Sequence, residues 1–215
     1  MERFSCQRCG ICCTNIGGRF SDSEIRRIEK GFRELEKLGI YLAISPKDFS
    51  IPLFPEEVKT LLRLSKELKI DFHPLPKLFL VDSKSKSCIV VEWDLGAGSC
   101  PFYDIEKGCL VYENRPLACR SFPVILGPDG YELLKLCPQT RCLDLSSEEI
   151  EKIFVEEVIY AKEFLKRVEE NKERIMNLIR MGEISPLLVD RKNALNFLSK
   201  YKSKLIQLLN YSFED

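Results

Sequence analysis

Histidine is almost missing from this chain: of 215 residues, only His73 carries an imidazole. Its absence elsewhere removes the mixed cysteine and histidine sets of zinc fingers, which need paired ligands at finger spacing. An excess of charge of one sign is missing too. The 33 basic and 33 acidic side chains cancel, and no stretch gathers enough Lys and Arg for a nucleic-acid footprint, so nucleic acid is not an expected partner. No apolar run approaches the roughly 20 residues of a membrane span, and the opening MERFSCQRCG lacks the basic start and apolar stretch of a signal peptide. A cytoplasmic protein without a membrane partner is the expectation. Two motifs of methyl-transfer chemistry are also absent. No strand pattern runs into G-x-G-x-x-G, the glycines of "LGAGSC" at 95–100 being too short a match. Nor is there a C-x3-C-x2-C motif for radical chemistry with adenosylmethionine: Cys9 to Cys13 has the first gap, and no cysteine follows three residues on.

Cysteine, by contrast, is abundant, with ten in the chain. Cys6, Cys9, Cys12 and Cys13 read C-x2-C-x2-C-C. Steps of three residues carry sulfurs round one turn of backbone toward a common point, which serves a thiophilic metal rather than a hydrophobic core. In a reducing cytosol such thiols imply metal or redox chemistry; in an oxidising compartment they would form a disulfide framework. Many Glu and Lys, with only Gln7, Gln139 and Gln207 for glutamine, make a heat-adapted composition, and hyperthermophile proteins are the intracellular exception in which disulfides persist. The side chains of adjacent Cys12 and Cys13 are expected to diverge, so that the two do not chelate one ion together and one of them serves a second site or a second metal atom.

The other thiols lie far along the chain. "CPFYDIEKGCLVYENRPLACRSFPVIL" carries Cys100, Cys109 and Cys119, and "CPQTRC" adds Cys137 and Cys142. Cys88, followed by Ile89, Val90 and Val91, reads as a small core residue of a strand. The spacing of Cys6, Cys9 and Cys12 matches the first three ligands of a bacterial-ferredoxin cubane, whose remote partner cysteine precedes a proline, as Cys100 and Cys137 both do. All-thiolate sets also suit zinc, so the spacing favours an iron–sulfur cluster of the 4Fe–4S type with zinc as the alternative. Eight thiols, Cys6, Cys9, Cys12, Cys13, Cys100, Cys109, Cys119 and Cys137, would fill two four-thiolate sites, and one cluster with spare cysteines satisfies the same list. Arg8, Arg115, Arg120 and Arg141 each lie within a few residues of a cysteine, where guanidinium donors to sulfur tune a centre. Arg115 and Arg120 are the expected cofactor-binding arginines, with Arg120, directly after Cys119, foremost. His73, in "DFHPLPK" and away from every cysteine, is expected in a loop or in packing.

Periodicity organises the rest. Ser21 and Glu24 form a capping-box pattern ahead of a helix whose apolar face is Ile25, Ile28, Phe32, Leu35 and Leu38, ended by Gly39. Pro55 opens a second helix with Val58, Leu61, Leu62 and Leu68 on its stripe. "KLFLVD" and "SCIVVEWD" flank a Ser/Lys turn as a β-hairpin between Leu78 and Trp93, and "VILGPDGYELLKL" reads as another, turning on Pro128, Asp129 and Gly130. Ser146 and Glu149 cap one long helix with a stripe from Ile150 through Phe154 and Val168 to Ile179, and Ser185 with Pro186 starts a last helical segment reaching about Leu209. The expected fold class is α+β, mostly helical, with two short β-hairpins: a cysteine-rich metal-binding body over residues 1–145 and a helical extension over 146–215 packed on it.

C-x2-C-x2-C-C followed by "CPFYD", "CLVYENRPLACRSFP" and a later cysteine resembles the cysteine-cluster family of zinc- or iron-chelating proteins, to which flagellin lysine N-methylase is similar. The match runs over roughly residues 6–138, with Tyr112, Arg115, Pro116, Arg120 and Pro123 on the signature Y-E-x-R-P-x-x-C-R-x-F-P. The resemblance implies metal ligation by the same eight cysteines. Three readings follow: a cluster-binding redox protein or enzyme; a structural zinc module; and, by family analogy, a metal-dependent protein-lysine N-methyltransferase acting on a protein substrate in a groove lined by Tyr103, Asp104 and Tyr112.

Overall fold

The computed structural model describes residues 3–17, 20–127 and 130–201. Its centre is a four-stranded antiparallel sheet of order β1-β3-β4-β2, formed by β1 (Ile40–Leu42), β2 (Pro52–Leu53), β3 (Leu75–Asp82) and β4 (Ser87–Asp94). Side chains alternate across a strand, and here both faces are covered. Tyr41, Phe79, Val81, Cys88, Val90 and Trp93 share one buried layer with Val58 and Leu61 of α2 (Pro55–Leu68) and with Ala194 and Leu198 of α6 (Arg191–Tyr201). Ile40, Leu42, Leu78, Leu80 and Ile89 form the other layer, against Ile28, Phe32 and Leu35 of α1 (Asp22–Glu36) and Ile175 of α5 (Val155–Arg180). Double-sided burial explains why β3 and β4 read as continuous apolar runs rather than as an alternating pattern.

Local chemistry sets the helix boundaries. Glu24 accepts the Ser21 N–H at 2.7 Å while the Ser21 hydroxyl accepts the Glu24 N–H at 3.3 Å, a reciprocal cap at the start of α1. The same exchange joins Ser146 and Glu149 ahead of α4 (Ser147–Ile153). Pro55 is the first residue of α2, where its missing N–H costs nothing.

A third apolar group lies apart from the sheet, with Val124 of β7 (Val124–Gly127) buried beside Ile150, Phe154, Val158 and Ala161. β7 pairs antiparallel with β8 (Gly130–Leu133), and Phe4, Tyr131 and Leu133 pack on this group. The expected turn residues Pro128 and Asp129 lie outside the described residues, as does everything after Tyr201.

Two helical expectations need correction. The stripe expected to run on as one helix is broken at Phe154, whose φ of −106° and ψ of 48° are not helical, into α4 and α5. The Phe154 N–H still donates to Ile150 O at 2.8 Å and its carbonyl still accepts the Val158 N–H at 2.9 Å. The hydrogen-bond ladder thus nearly survives a bend that buries the Phe154 ring against Phe4, centroids 4.9 Å apart. Nor does a helix start at Ser185. Its N–H donates to Asp82 Oδ1 at 2.8 Å, and the Leu187 N–H donates to Val81 O at 2.8 Å, holding the segment extended beside β3. Helix α6 begins at Arg191 instead, after Asp190 accepts the Asn193 N–H at 3.0 Å. The stretch between Gly39 and Pro55 supplies the edge strands β1 and β2.

Candidate metal centre

The cysteine-bearing N-terminal loop is tied down at both ends. At its start the Phe4 N–H donates to Ile153 O at 3.1 Å and Gln139 Nε2 donates to Ser5 O at 3.1 Å, joining it to α4 and to the loop after Cys137. At its end Ile16 and Gly98 exchange hydrogen bonds of 2.7 and 2.6 Å, and the Cys100 N–H donates to Cys13 O at 2.7 Å. Between these ties Gly10 O accepts the N–H groups of both Cys13 and Thr14 at 2.8 Å, closing a tight turn around Ile11, Cys12 and Cys13. Gly10 has φ +78°, and a Cβ there would overlap the Tyr103 ring. Both facts require glycine.

The partner segment is built from small elements. β5 (Tyr103–Asp104) and β6 (Gly108–Cys109) form a miniature hairpin whose turn is held by Asp104, which accepts the Glu106 and Lys107 N–H groups at 2.9 and 2.8 Å. Those two donors, that of Lys107 first, hold the Asp104 carboxyl below its ordinary range. A 3-10 turn at Tyr112–Asn114 leads through Pro116 into α3 (Leu117–Ser121), which carries Cys119 and Arg120. The Leu117 N–H donates to Glu57 Oε1 at 2.7 Å, and the Phe54 N–H donates to Glu57 Oε2 at 2.9 Å, so one carboxylate anchors the starts of two helices. Burial pushes Glu57 above its ordinary pKa despite these donors.

The arginines divide the remaining work. Arg8 and Arg115 stack on the Tyr112 ring, at 3.7 and 3.9 Å from guanidinium carbon to ring centroid. The Arg115 charge also favours the thiolates of Cys12, Cys109 and Cys119, and that of Arg8 favours the thiolate of Cys109. Arg120 gives its Nε to Arg115 O at 2.8 Å and an Nη to Glu113 O, and its guanidinium lies over the Tyr160 ring of α5. These donors brace the signature loop through backbone carbonyls.

Cysteines of the two segments lie near enough that a thiolate on one would disfavour a thiolate on its neighbours. Cys100 and Cys109 interact, as do Cys109 and Cys6, Cys119 and both Cys100 and Cys109, and Cys137 and Cys9; Cys12 interacts with Cys13, Cys100, Cys119 and Cys137. Cys12 is raised first by its hydrogen bond to Cys13 and then by burial. Burial, followed by neighbouring thiols, pushes Cys100 up to about 11 and raises Cys109, Cys119 and Cys137. Thiols raised in this way are poor nucleophiles. A thiophilic cation reverses the balance by replacing protons and cancelling charge, so the donor set, all sulfur and flanked by Arg8 and Arg115, fits zinc or iron. Among the described residues no three Cys, His, Asp or Glu side chains converge tightly enough to hold one ion, so ligation requires side chains or loops to draw in.

One expectation about these thiols is overturned. Cys12 and Cys13 do not diverge: their Sγ atoms lie 3.9 Å apart, because the turn closed on Gly10 O is not the extended backbone that sends neighbours to opposite faces. Cys88 is buried in β4 opposite Val81, where burial pushes its thiol up to about 11. Cys142 is exposed, and His73 is exposed beside Asp71, 2.8 Å away. Tyr103 packs on Gly10, Asp104 holds a turn, and Tyr112 is stacked on by two guanidiniums. Sequence reading missed the roles of Gly10 and Glu57; the acidic first turn after Pro55 signalled a helix start but not the reach of Glu57 to Leu117, 60 residues on.

No helix among the described residues is long and apolar enough to cross a membrane. No curated protein and no solved structure matches the chain. Residues 5–138 match the family model CxxCxxCC, described as "Putative zinc- or iron-chelating domain". This span takes in both cysteine segments and the Y-E-x-R-P-x-x-C-R-x-F-P signature, and the chain belongs to that family.

Proposed function

We propose that this protein binds metal through cysteine alone, using Cys6, Cys9, Cys12, Cys13, Cys100, Cys109, Cys119 and Cys137, and that the bound group is an iron–sulfur cluster. The observation that carries the reading is that two cysteine-bearing segments far apart in sequence are tied together: the Cys100 N–H donates to Cys13 O at 2.7 Å, and Arg8 and Arg115 lie over the same Tyr112 ring. The ferredoxin-like spacing of Cys6, Cys9 and Cys12 supports the iron–sulfur reading, and a 4Fe–4S type requires that Cys12 and Cys13 bind different metal atoms. When bound, such a cluster supplies one-electron chemistry. The chain's own residues hold it, set its charge through Arg115 and tie the two loops together. Residues 1–145 carry ligation, and the described helices of the 146–215 extension, α4, α5 and α6, carry packing. A structural zinc site is the second reading, favoured by the Cys12–Cys13 sulfur separation, which suits two ligands on one tetrahedral ion.

Anaerobic purification followed by metal and sulfide analysis tests both. Iron with acid-labile sulfide in a brown protein is the expected result. Stoichiometric zinc without sulfide, in protein from iron-replete cells, replaces the cluster with the zinc reading, and a chain that retains neither metal overturns the function. Cys9→Ser and Cys119→Ser should each lower bound metal sharply, whereas Cys88→Ala should keep the parent content.

A further inference from the structure

We propose that Cys12 and Cys13 bind one and the same metal ion as a vicinal dithiolate, an inference that rests on the metal-binding reading but not on which metal is bound. Two thiolates about 2.3 Å from a tetrahedral zinc stand about 3.8 Å apart, and the two sulfurs are already 3.9 Å apart. Adjacent residues of a strand present side chains to opposite faces. Here the turn prevents that. Gly10 O accepts the N–H groups of Cys13 and Thr14 at 2.8 Å and the Thr14 hydroxyl at 3.1 Å, the Tyr103 ring occupies the space beside Gly10, and Cys13 O accepts the Cys100 N–H at 2.7 Å.

The pairing constrains the centre. With four cysteines per cluster, each iron of a cubane takes one protein sulfur and each iron of a two-iron cluster takes two. Cys12 and Cys13 on one ion therefore suit a mononuclear zinc site or one iron of a 2Fe–2S cluster, and not a cubane that uses both. On binding, two S–H protons leave to buffer as two sulfur–metal bonds form.

Stoichiometry decides it. The full chain and its Cys12→Ala, Cys13→Ala and doubly substituted variants are loaded anaerobically with zinc alone, desalted and analysed for metal per chain. Each single variant should lose the same amount, and the double variant should lose no more than either. Summed losses in the double variant, or an unchanged content in either single variant, overturn the pairing, whereas a parent chain that takes up no zinc here and carries no iron in the anaerobic preparation overturns the metal reading itself. Should the variants misfold, the parent chain is treated with phenylarsine oxide, which condenses with a close dithiol to form two As–S bonds and release water. Peptide mapping should find arsenic bridging Cys12 and Cys13, blocked by prior zinc loading. Separately alkylatable Cys12 and Cys13, or arsenic labelling that persists in the zinc-loaded chain, overturns it.

Discussion

The guanidinium carbon of Arg8 lies 3.7 Å from the centroid of the Tyr112 ring. The guanidinium carbon of Arg115 lies 3.9 Å from the centroid of the same ring, so one side chain contacts both arginines. Arg8 belongs to the N-terminal cysteine loop, and Arg115 to the signature that leads into Cys119. The contact therefore joins the two cysteine-bearing segments through side chains where Ile16, Gly98, Cys13 and Cys100 join them through backbone.

Removing the ring should loosen that joint. Each cation–π contact contributes about 0.5–2 kcal/mol, so loss of both in Tyr112→Ala should lower stability by about 1–4 kcal/mol and speed metal loss to a chelator several-fold. Tyr112→Phe, which keeps the ring, should behave like the parent. A parental rate of metal release in Tyr112→Ala would show that the stack does not hold the loop.

Glu57 anchors the segment that carries Cys119. Glu57→Ala leaves the N–H groups of Phe54 and Leu117 without their carboxylate partner, at a cost of about 1–3 kcal/mol per buried donor left unpaired. The urea midpoint should fall, and metal content should fall with it. Loss of stability with full metal content would separate α3 anchoring from ligation.

Asp82 makes stability depend on acid. Burial opposes its ionisation, but the Ser85 hydroxyl and the N–H groups of Ser185, Ser85 and Lys84 outweigh it, and its pKa is lowered below 3.8. A carboxyl depressed in the folded state contributes stability that is present above the unfolded-chain value and is lost as pH falls through the folded value. Glu57, raised by burial, has the opposite sign and gains for the fold as it protonates. The urea midpoint should drop as pH falls below the unfolded-chain value and through the lowered folded value of Asp82, and Asp82→Asn should flatten that limb. An unchanged limb in Asp82→Asn would assign the acid sensitivity elsewhere.

A chain ending at residue 145 should not fold cooperatively. Each apolar group includes residues beyond that point: Ala194 and Leu198 in one sheet layer, Ile175 and Ile184 in the other, and Ile150, Phe154 and Val158 around Val124. Circular dichroism during thermal unfolding checks this, and a sharp transition in the shortened chain would make the later helices dispensable.

Local signals in the sequence by themselves determined the caps at Ser21 and Ser146, the helix start at Pro55, the apolar runs of β3 and β4, and the cysteine spacing with its family. These depend on residues a few positions apart, where hydrogen-bond partners and periodicity are written in the chain itself. Tertiary structure alone decided the break at Phe154, because a buried ring keeps the same apolar period whether or not the helix bends beneath it. It alone decided that Ser185–Val189 runs extended, since Asp82, Val81 and the Tyr41 hydroxyl claim its backbone from a hundred or more residues away. It also brought Cys12 and Cys13 to the same side, because a carbonyl at Gly10 and a ring at Tyr103 shape a turn that adjacency in sequence does not imply.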